Sequence, residues 1–574
     1  MSSSSLVDSD AHSPADSPPK RDWRFWLIFI SIALSLFLSA LELSSVSTAL
    51  PIIIDELHGT QFVWVGSAYA LSATAFVPMS GALAQVFGRR PVMLLALFLF
   101  AVGSALCGAA KSLNFLIAGR AVQGIGGGSI ASVTQIILSD LVPLHERGTF
   151  SGLIGISWGI ASAIGPVVGG AFAERGHWRW LFYMNVPICV VVAGFILAFL
   201  QLRTPSLTWR EKFDRMDWLG NLLVVASTAA VVIALTWGGI QYPWTSPRVM
   251  VPLILGILGL FAFLGYEARF PKYPIVPFSL MSTATSLSGF LQTFVMPIGL
   301  LAGVYYMPVY FQACMAASPI ASGVDTFGAA FTLAPAGIVA GVSVALSGGY
   351  RVQLWSAWVL VIVGTAMLST LSADSSRATA IALQVISGIG AGAISTTTYF
   401  PALAPLHVSQ NAQALAYFTF LRNFAQVWGV TIGGTILQNE LKKRLPTTFT
   451  SEFPEGTAIA YSIIPVIYTL QEPLKTQVRV AFAESIRVIW RVFIGISGLG
   501  LLVSLPMKAL PLHTAVDKNW GFDRKVKDEL SGLEANQDEK EKAAEEEKED
   551  VDEKSEVEEK KVDEENKSAD GPAS

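Results

Sequence analysis

The chain has 574 residues, of which 52% are hydrophobic and only 14% are charged, and its formal net charge is −4. Soluble proteins carry about 25% charged residues, so this composition excludes an ordinary soluble protein. Many of the acidic residues follow residue 506, and the net charge therefore says little about the apolar part of the chain.

The apolar runs predict an all-α membrane protein. A helix needs about 20 apolar residues to cross a bilayer, and runs of about that length follow one another along the chain. We predict fourteen spans, at residues 26–50, 62–86, 92–110, 114–139, 149–173, 180–201, 218–238, 249–267, 283–312, 322–347, 354–372, 378–400, 410–437 and 485–506.

Two spans end alike, which predicts an internal repeat. Each is an apolar helix that contains a proline and ends near a glycine and an arginine: VPMSGALAQVFGRR and APAGIVAGVSVALSGGYR. Many secondary transporters consist of two repeated halves around a central site. We predict a disordered cytoplasmic tail (1–25), a six-helix half (26–201), an inserted helix pair with loops (202–282), a second six-helix half (283–506) with a long outer loop at about 438–484, and an acidic disordered cytoplasmic tail (507–574).

The first motif, GALAQVFGRRP, lies between the second and third spans. Gly81 and Gly88 permit a close approach and a turn, while Arg89 and Arg90 fit the basic character of cytoplasmic loops. The motif resembles the major facilitator signature G-x-L-a-D-r-x-G-r-k, which implies a gating role. Gln85 replaces the usual Asp, so the charged lock that the family forms there would become a neutral hydrogen bond. An ordinary basic loop is the alternative.

The second motif, LIAGRAVQG, resembles the fourth-helix motif l-x-x-x-R-x-x-q-G and places Arg120 inside an apolar run. A charge at the bilayer centre costs about 2.5–3.5 kcal/mol, which indicates a function for that side chain. Helical spacing puts Gln123 and Gly127 on the same face, and we predict that Gln123 lines the substrate cavity. Alternatively, Arg120 lies near the rim and extends to water.

The third motif is GISWGIASAIGPVVGG, which resembles the fifth-helix antiporter signature G-x-x-x-G-P-x-x-G-G. Gly165, Pro166, Gly169 and Gly170 match the signature, whereas Ala161 replaces its leading glycine. Small residues let helices approach closely, and proline removes one helix hydrogen bond. In the family the signature accompanies exporters rather than proton-driven uptake systems.

The fourth motif, LELSSVSTALP in the first span, resembles L-D-x-T-I-V-N-V-A-L-P of the fourteen-helix drug:proton antiporters, with Glu42 in place of Asp. A buried carboxyl group can bind and release a proton near neutral pH. We therefore predict that Glu42 and Arg120 couple transport to protons. The alternative is that Glu42 is permanently tied to an arginine or to serines as a structural contact.

Polar residues in the second predicted half are candidates for the substrate cavity. The segment LRNFAQVWGVTIGG carries Arg422, Asn423 and Gln426, and an aromatic-rich earlier span contains Gln292 and Tyr306. Such surfaces suit amphipathic organic ligands, although aromatic residues at these spacings also pack between helices.

Along the chain the four motifs lie at residues 41–51, 81–91, 116–124 and 155–170, which is the order that the family shows. The chain is therefore identified as a member of the major facilitator superfamily, similar to fungal multidrug and toxin efflux pumps. The resemblance implies a plasma-membrane transporter, not an enzyme, that exchanges small amphipathic molecules for protons across a lipid bilayer, with no cofactor, metal or nucleic acid. A vacuolar-membrane transporter of basic amino acids or a siderophore carrier is the alternative. An ATP-driven pump would need a Gly-Lys pair in its phosphate loop, and the sequence contains none.

Overall fold

A computed structural model describes residues 23–57, 63–202, 208–239, 241–446 and 463–512. Their secondary structure is almost wholly helical. The first helices are α1 (Trp23–Leu57), α2 (Val63–Ala75), α3 (Val77–Phe87), α4 (Arg89–Gly108), α5 (Leu113–Leu141), α6 (Leu144–Glu174), α7 (Arg179–Tyr183), α8 (Asn185–Phe199) and α9 (Trp209–Asp214). The others are α10 (Trp218–Trp237), α11 (Pro247–Arg269), α12 (Ala284–Met315), α13 (Pro319–Asp325), α14 (Phe327–Ser347), α15 (Arg351–Leu368), α16 (Arg377–Thr397), α17 (Tyr399–Leu403), α18 (Asn411–Arg444) and α19 (Leu474–Ser504). Short 3₁₀ helices lie at Phe278–Met281, Val408–Gln410 and Ile464–Thr469.

The helices confirm the prediction of an all-α, multi-pass membrane protein. Within the described ranges, twelve helical segments are long and apolar enough to cross a bilayer, and thirteen if the bent pair α2–α3 counts as one span. The predicted span at 410–437 falls in α18, which carries the polar side chains of Arg422 and Gln426 and is not among those segments. The number fourteen therefore stays a prediction.

Several boundaries differ from the predicted ones. The span at 62–86 consists of two helices bent by 43°, with Pro78 in the first turn of α3; proline has no N–H group, so a helix hydrogen bond is lost there. The predicted outer loop at 438–484 is helical at both ends, because α18 continues to Arg444 and α19 begins at Leu474. The predicted tails lie almost entirely outside the described residues.

Helix contacts repeat along the chain. In the first set, α1 packs on α6, and α5 packs on α2 and α4. In the second set, α12 packs on α18, and α16 packs on α14 and α15. The two sets meet where α6 crosses α14 and where α18 contacts α2, α3 and α5, while α10 and α11 pack on each other.

Glycines allow the two sets of helices to meet at backbone distance. A Cβ atom on Gly341 of α14 would lie only 2.6 Å from the backbone nitrogen of Thr149 in α6. A Cβ atom on Gly81 of α3 would overlap the Cβ atom of Ala416 in α18. Because the neighbouring atoms leave no space, any side chain at either glycine would push the helices apart.

Candidate functional site

Glu42 of α1 and Arg120 of α5 form a buried ion pair. The Arg120 Nη1 atom donates to Glu42 Oε1 at 2.7 Å, and each side chain is 1% exposed. Arg120 Nε also donates to the carbonyl oxygen of Val65 at 3.0 Å. An unpaired buried charge costs several kcal/mol, so each group stabilises the charge of the other. The structure thus brings together the two residues that the sequence predicts for proton coupling.

Three further side chains extend the pair into a network across four helices. Gln123 Oε1 accepts from Arg120 Nη1 at 2.7 Å, and Gln123 Nε2 donates to Ser104 Oγ at 2.7 Å. Asn185 Nδ2 donates to Glu42 Oε2 at 2.6 Å, so both carboxylate oxygens of Glu42 have a donor. We refer to Glu42, Ser104, Arg120, Gln123 and Asn185 as the Glu42 network.

Tyr69 of α2 closes the network on one side. Its ring lies under the Arg120 guanidinium at 4.6 Å, and its hydroxyl shares a hydrogen bond with Ser39 at 2.7 Å. A Cβ atom on Gly127 would overlap that hydroxyl. This part of the α5 face, which includes the predicted cavity residue Gln123, is therefore packed against neighbouring helices.

Ser104, Tyr69 and Asn185 were not predicted from the sequence. Asn185 had a usable signal, because it begins α8, an otherwise apolar helix in which a polar side chain needs a partner. Ser104 had no such signal, since a serine in an apolar helix commonly bonds a carbonyl of its own helix.

The hydrogen bonds of Arg120 do not all depend on Glu42. A carboxylate accepts from both Arg120 and Asn185, whereas a protonated carboxyl can donate one hydrogen bond itself. When Glu42 is neutral, Arg120 still has the carbonyl of Val65 and the amide oxygen of Gln123 as acceptors. The guanidinium therefore remains hydrogen-bonded in both protonation states.

The antiporter motif lies on α6 where this helix crosses α1. A Cβ atom on Gly165 would overlap the Ser44 hydroxyl and lie 3.1 Å from the Ser45 nitrogen. Gly169 and Gly170 are buried, and a Cβ atom on Gly170 would meet Ile320 Cδ1 at 3.3 Å. The motif therefore packs α6 against the turn of α1 that follows Glu42. Pro166 lies within the same helix.

The loop motif forms a tight turn between α3 and α4. Gly88 has a φ of 98°, which favours glycine. Arg89 Nε donates to Asp140 Oδ2 at 2.8 Å in a buried ion pair, and Arg90 donates to the Leu197 carbonyl. Among the described residues the half-buried Gln85 side chain forms no hydrogen bond, so the neutral bond expected of it is not observed. The charged contact of this motif is Arg89–Asp140 instead.

Arg422, Asn423 and Gln426 are half-buried on α18. Arg422 Nη1 lies 3.4 Å from both the Ser395 carbonyl oxygen and the Tyr399 hydroxyl, so its hydrogen bonds are long. These three polar side chains retain some exposure within a helix that contacts both sets of helices.

Gln292 and Tyr306 are placed differently from the α18 residues. Gln292 is fully buried and accepts from Trp358 Nε1 at 2.9 Å. The Tyr306 hydroxyl donates to the Val430 carbonyl at 2.5 Å, and its ring lies against Gly433. Both side chains thus make packing contacts with neighbouring helices, and the structure does not bring them to the Glu42 network.

Within the described residues, no group of three or more His, Cys, Asp and Glu side chains is arranged to hold a metal ion. Cys107, Cys189 and Cys314 are free and buried.

Comparison with known proteins identifies the family. The model of the Major Facilitator Superfamily matches residues 32–430. The chain is 38% identical to the MFS-type efflux pump LUC4 of Fusarium sp over 542 residues, which cover 92% of this chain and 96% of that protein. It is 34% identical to the Acurin A biosynthesis cluster MFS-type transporter of Aspergillus aculeatus over 517 residues, which cover 88% and 93%. The structure of the proton:xylose symporter XylE aligns with a TM-score of 0.55 at 12% identity, covering 86% of this chain and 98% of XylE. The expected resemblance to fungal efflux transporters is confirmed, and the chain belongs to the major facilitator superfamily of membrane transporters.

Proposed function

We propose that the protein is a secondary active transporter that exports small amphipathic organic molecules in exchange for protons. The observation that carries the proposal is the buried Glu42–Arg120 pair, because an ionisable group inside a membrane helix is by default a functional candidate. The name of the Fusarium relative, an efflux pump, supports the direction of transport.

The proposed mechanism is alternating access. Two repeated sets of helices rock about a central site, and Glu42 takes up a proton on one side and releases it on the other. Protonation neutralises Glu42 and weakens its attraction for Arg120. Because this contact joins α1 to α5 and lies next to the α1–α6 crossing at Gly165, a change of charge at Glu42 acts directly on the packing of three helices.

The charges favour amphipathic cargo over cationic cargo. Asp140 is paired with Arg89 at 2.8 Å, and Asp325 is paired with Arg377 at 2.9 Å, so neither carboxylate is left to attract a cation. Arg422, with its long hydrogen bonds, adds a positive charge on α18. The alternative cargoes, basic amino acids and siderophores, remain outcomes of the test below.

The test measures transport in sealed vesicles with an imposed pH gradient. The panel contains amphipathic drugs, glycolipids, siderophores and basic amino acids, and the variants are Glu42→Gln and the control Glu472→Gln, which removes an exposed carboxylate before α19. We expect the gradient to drive movement of amphipathic compounds by the wild type and by Glu472→Gln. Glu42→Gln should reduce this movement at least tenfold while the protein still inserts.

Each other outcome excludes part of the proposal. Gradient-driven transport that survives in Glu42→Gln would leave Glu42 as a structural contact. Movement of basic amino acids or siderophores alone would assign the alternative cargo. A fluorescent fusion at the plasma membrane is expected, and fluorescence at the vacuolar membrane would assign the alternative location.

A further inference from the structure

Two carboxyl groups meet on the inserted helices, away from the Glu42 network. Asp217 precedes the first turn of α10, and Glu267 lies in the last turn of α11. Glu267 is buried, with 5% exposure. Neither residue belongs to a motif found in the sequence.

One oxygen of each carboxyl group has an ordinary structural partner. Asp217 Oδ1 accepts from the Gly220 N–H at 2.8 Å, as a helix cap, and from the Tyr266 hydroxyl at 3.1 Å. Glu267 Oε2 accepts from the Val276 N–H at 3.5 Å. Helix capping therefore accounts for Asp217 Oδ1, and the contact with the loop after α11 accounts for Glu267 Oε2.

The other two oxygens are buried and have no hydrogen-bond partner among the described residues. These are Asp217 Oδ2 and Glu267 Oε1. A Cβ atom on Gly220 would overlap the first and lie 2.8 Å from the second, so both oxygens point into the same small space. Two ionised carboxylates can only accept hydrogen bonds. Facing each other in a buried space, they would repel and leave both oxygens unsatisfied.

In the part of the chain that the structure describes, no neighbouring cation compensates the two carboxyl groups. Among the described residues neither forms an ion pair, Arg215 stacks on the Tyr273 ring, and Arg269 and Lys272 are exposed. The helices α2 and α3, which pack on α10, carry no charged residue, and α18 contributes Gln413, whose amide donates to the carbonyl of Pro274. Tyr266 is the other titratable group that contacts the pair.

We propose that Asp217 and Glu267 share one proton, which forms a second proton-binding site on the inserted helices. The proton lies between Asp217 Oδ2 and Glu267 Oε1, so that one oxygen donates and the other accepts. A divalent cation fits less well, because the remaining directions are occupied by the Gly220 and Val276 N–H groups and the Tyr266 O–H group, which repel a cation. The site goes beyond the proposed transport function and does not depend on Glu42.

Infrared spectroscopy of the purified full-length protein tests the proposal directly. At neutral pH we expect the C=O band of a protonated carboxyl group, sensitive to H₂O/D₂O exchange, that remains in Glu42→Gln and disappears in Glu267→Gln and in Asp217→Asn. The exposed carboxylate variant Asp214→Asn should leave the band unchanged. A wild-type spectrum without the band at neutral pH overturns the proposal even if a variant fails to fold.

Thermal unfolding provides an independent measurement. In the wild type, raising the pH removes the shared proton and creates two facing charges, so we expect Tm to fall at alkaline pH. Glu267→Gln supplies an amide donor to Asp217 in place of the proton, so its Tm should fall less than those of the wild type and Asp214→Asn. Equal alkaline losses in all three proteins contradict the proposal, as does a rise in wild-type Tm on addition of Mg²⁺ or Ca²⁺ that is absent from Glu267→Gln.

Discussion

At the scale of single residues, Arg120 provides the counter-charge of the buried Glu42 carboxylate. Replacing Arg120 by methionine leaves Glu42 buried without its counter-charge. Removal of one partner of a buried ion pair costs about 3–5 kcal/mol. We therefore expect a marked drop in the Tm of purified Arg120→Met, whereas Arg175→Met, at an exposed position after α6, should leave Tm unchanged.

The double variant Glu42→Leu/Arg120→Met tests whether Arg120→Met is destabilised by the unpaired Glu42 charge or by lost packing. Because it removes both charges and fills the space with apolar groups, it should be more stable than Arg120→Met alone. If the two variants unfold at the same temperature, the unpaired charge of Glu42 is not the cause of the destabilisation.

A second prediction at this scale concerns Glu56, beyond the apolar part of α1. Hydrogen bonds from Arg179 at 2.5 Å and from Trp178 at 2.6 Å lower the pKa of the Glu56 carboxyl below its ordinary value of 4.5. The carboxylate form is thus favoured in the folded state, so its contribution to stability is complete above pH 4.5 and is lost as the pH falls through the lowered pKa.

We expect Glu56→Gln to have a lower Tm than the wild type at neutral pH, and the difference to shrink as the pH is reduced below 4.5. Thermal unfolding across a pH series measures this. A Tm difference that does not vary with pH would mean that the charge of Glu56 contributes nothing to the contact.

Charged residues inside apolar runs were predictable as site residues from the sequence. Glu42 and Arg120 were recognisable because a charge inside an apolar run requires a partner. Their geometry was not predictable, since Asn185, which donates to Glu42, and Ser104, which accepts from Gln123, lie on helices that meet only in the folded chain. Asp217 was not predicted as a site residue, because a carboxylate before a helix is an ordinary cap.

At the scale of helices, the antiporter motif sets the distance between α1 and α6. An alanine at Gly165 would collide with the Ser44 side chain and come within 3.1 Å of the Ser45 backbone. Overpacking of this kind typically costs about 1–3 kcal/mol. We expect Gly165→Ala to lower both Tm and the rate of proton-driven transport, because the displaced turn of α1 is the one next to Glu42.

Gly159 provides the matched control, since it lies on the same helix with open space where a Cβ atom would be. Gly159→Ala should therefore retain wild-type Tm and transport. Equal effects of the two substitutions would indicate that α6 responds to loss of glycine flexibility rather than to contact with α1.

Helix boundaries were predictable where apolar runs coincide with helices and not elsewhere. The start of α19 was missed because Lys475 and Arg479 interrupt the apolar pattern, although Val478 and Phe482 of the same turns are buried in the core. The bend between α2 and α3 coincides with Pro78, whose consequence depends on whether the neighbouring helices accommodate a kink.

At the scale of the whole molecule, the helix contacts of the second set repeat those of the first, although the two sequences share only a faint similarity. The pairs α2–α5 and α14–α16 correspond in order, as do α4–α5 and α15–α16. Only the paired proline-containing spans indicated this repeat in the sequence, because packing requires small residues at crossings and tolerates almost any apolar residue elsewhere. The contacts between the two sets, at α6–α14 and α3–α18, could not be predicted from periodicity.

The α3–α18 contact allows a test of whether these sets must close against each other during transport. The clash expected for Gly81→Ala involves only the Cβ atom of Ala416, and the next atom, Ala416 Cα, lies at 3.7 Å, an ordinary contact distance. We expect Gly81→Ala to insert but to lose most proton-driven transport in vesicles, because the closed state cannot form. The exchange variant Gly81→Ala/Ala416→Gly restores the space and should recover transport, while Gly66→Ala, where a Cβ atom meets open space, should transport normally. If the exchange variant remains as inactive as Gly81→Ala, the glycine is required for another reason, and closure of α3 on α18 is not the step that the motif controls.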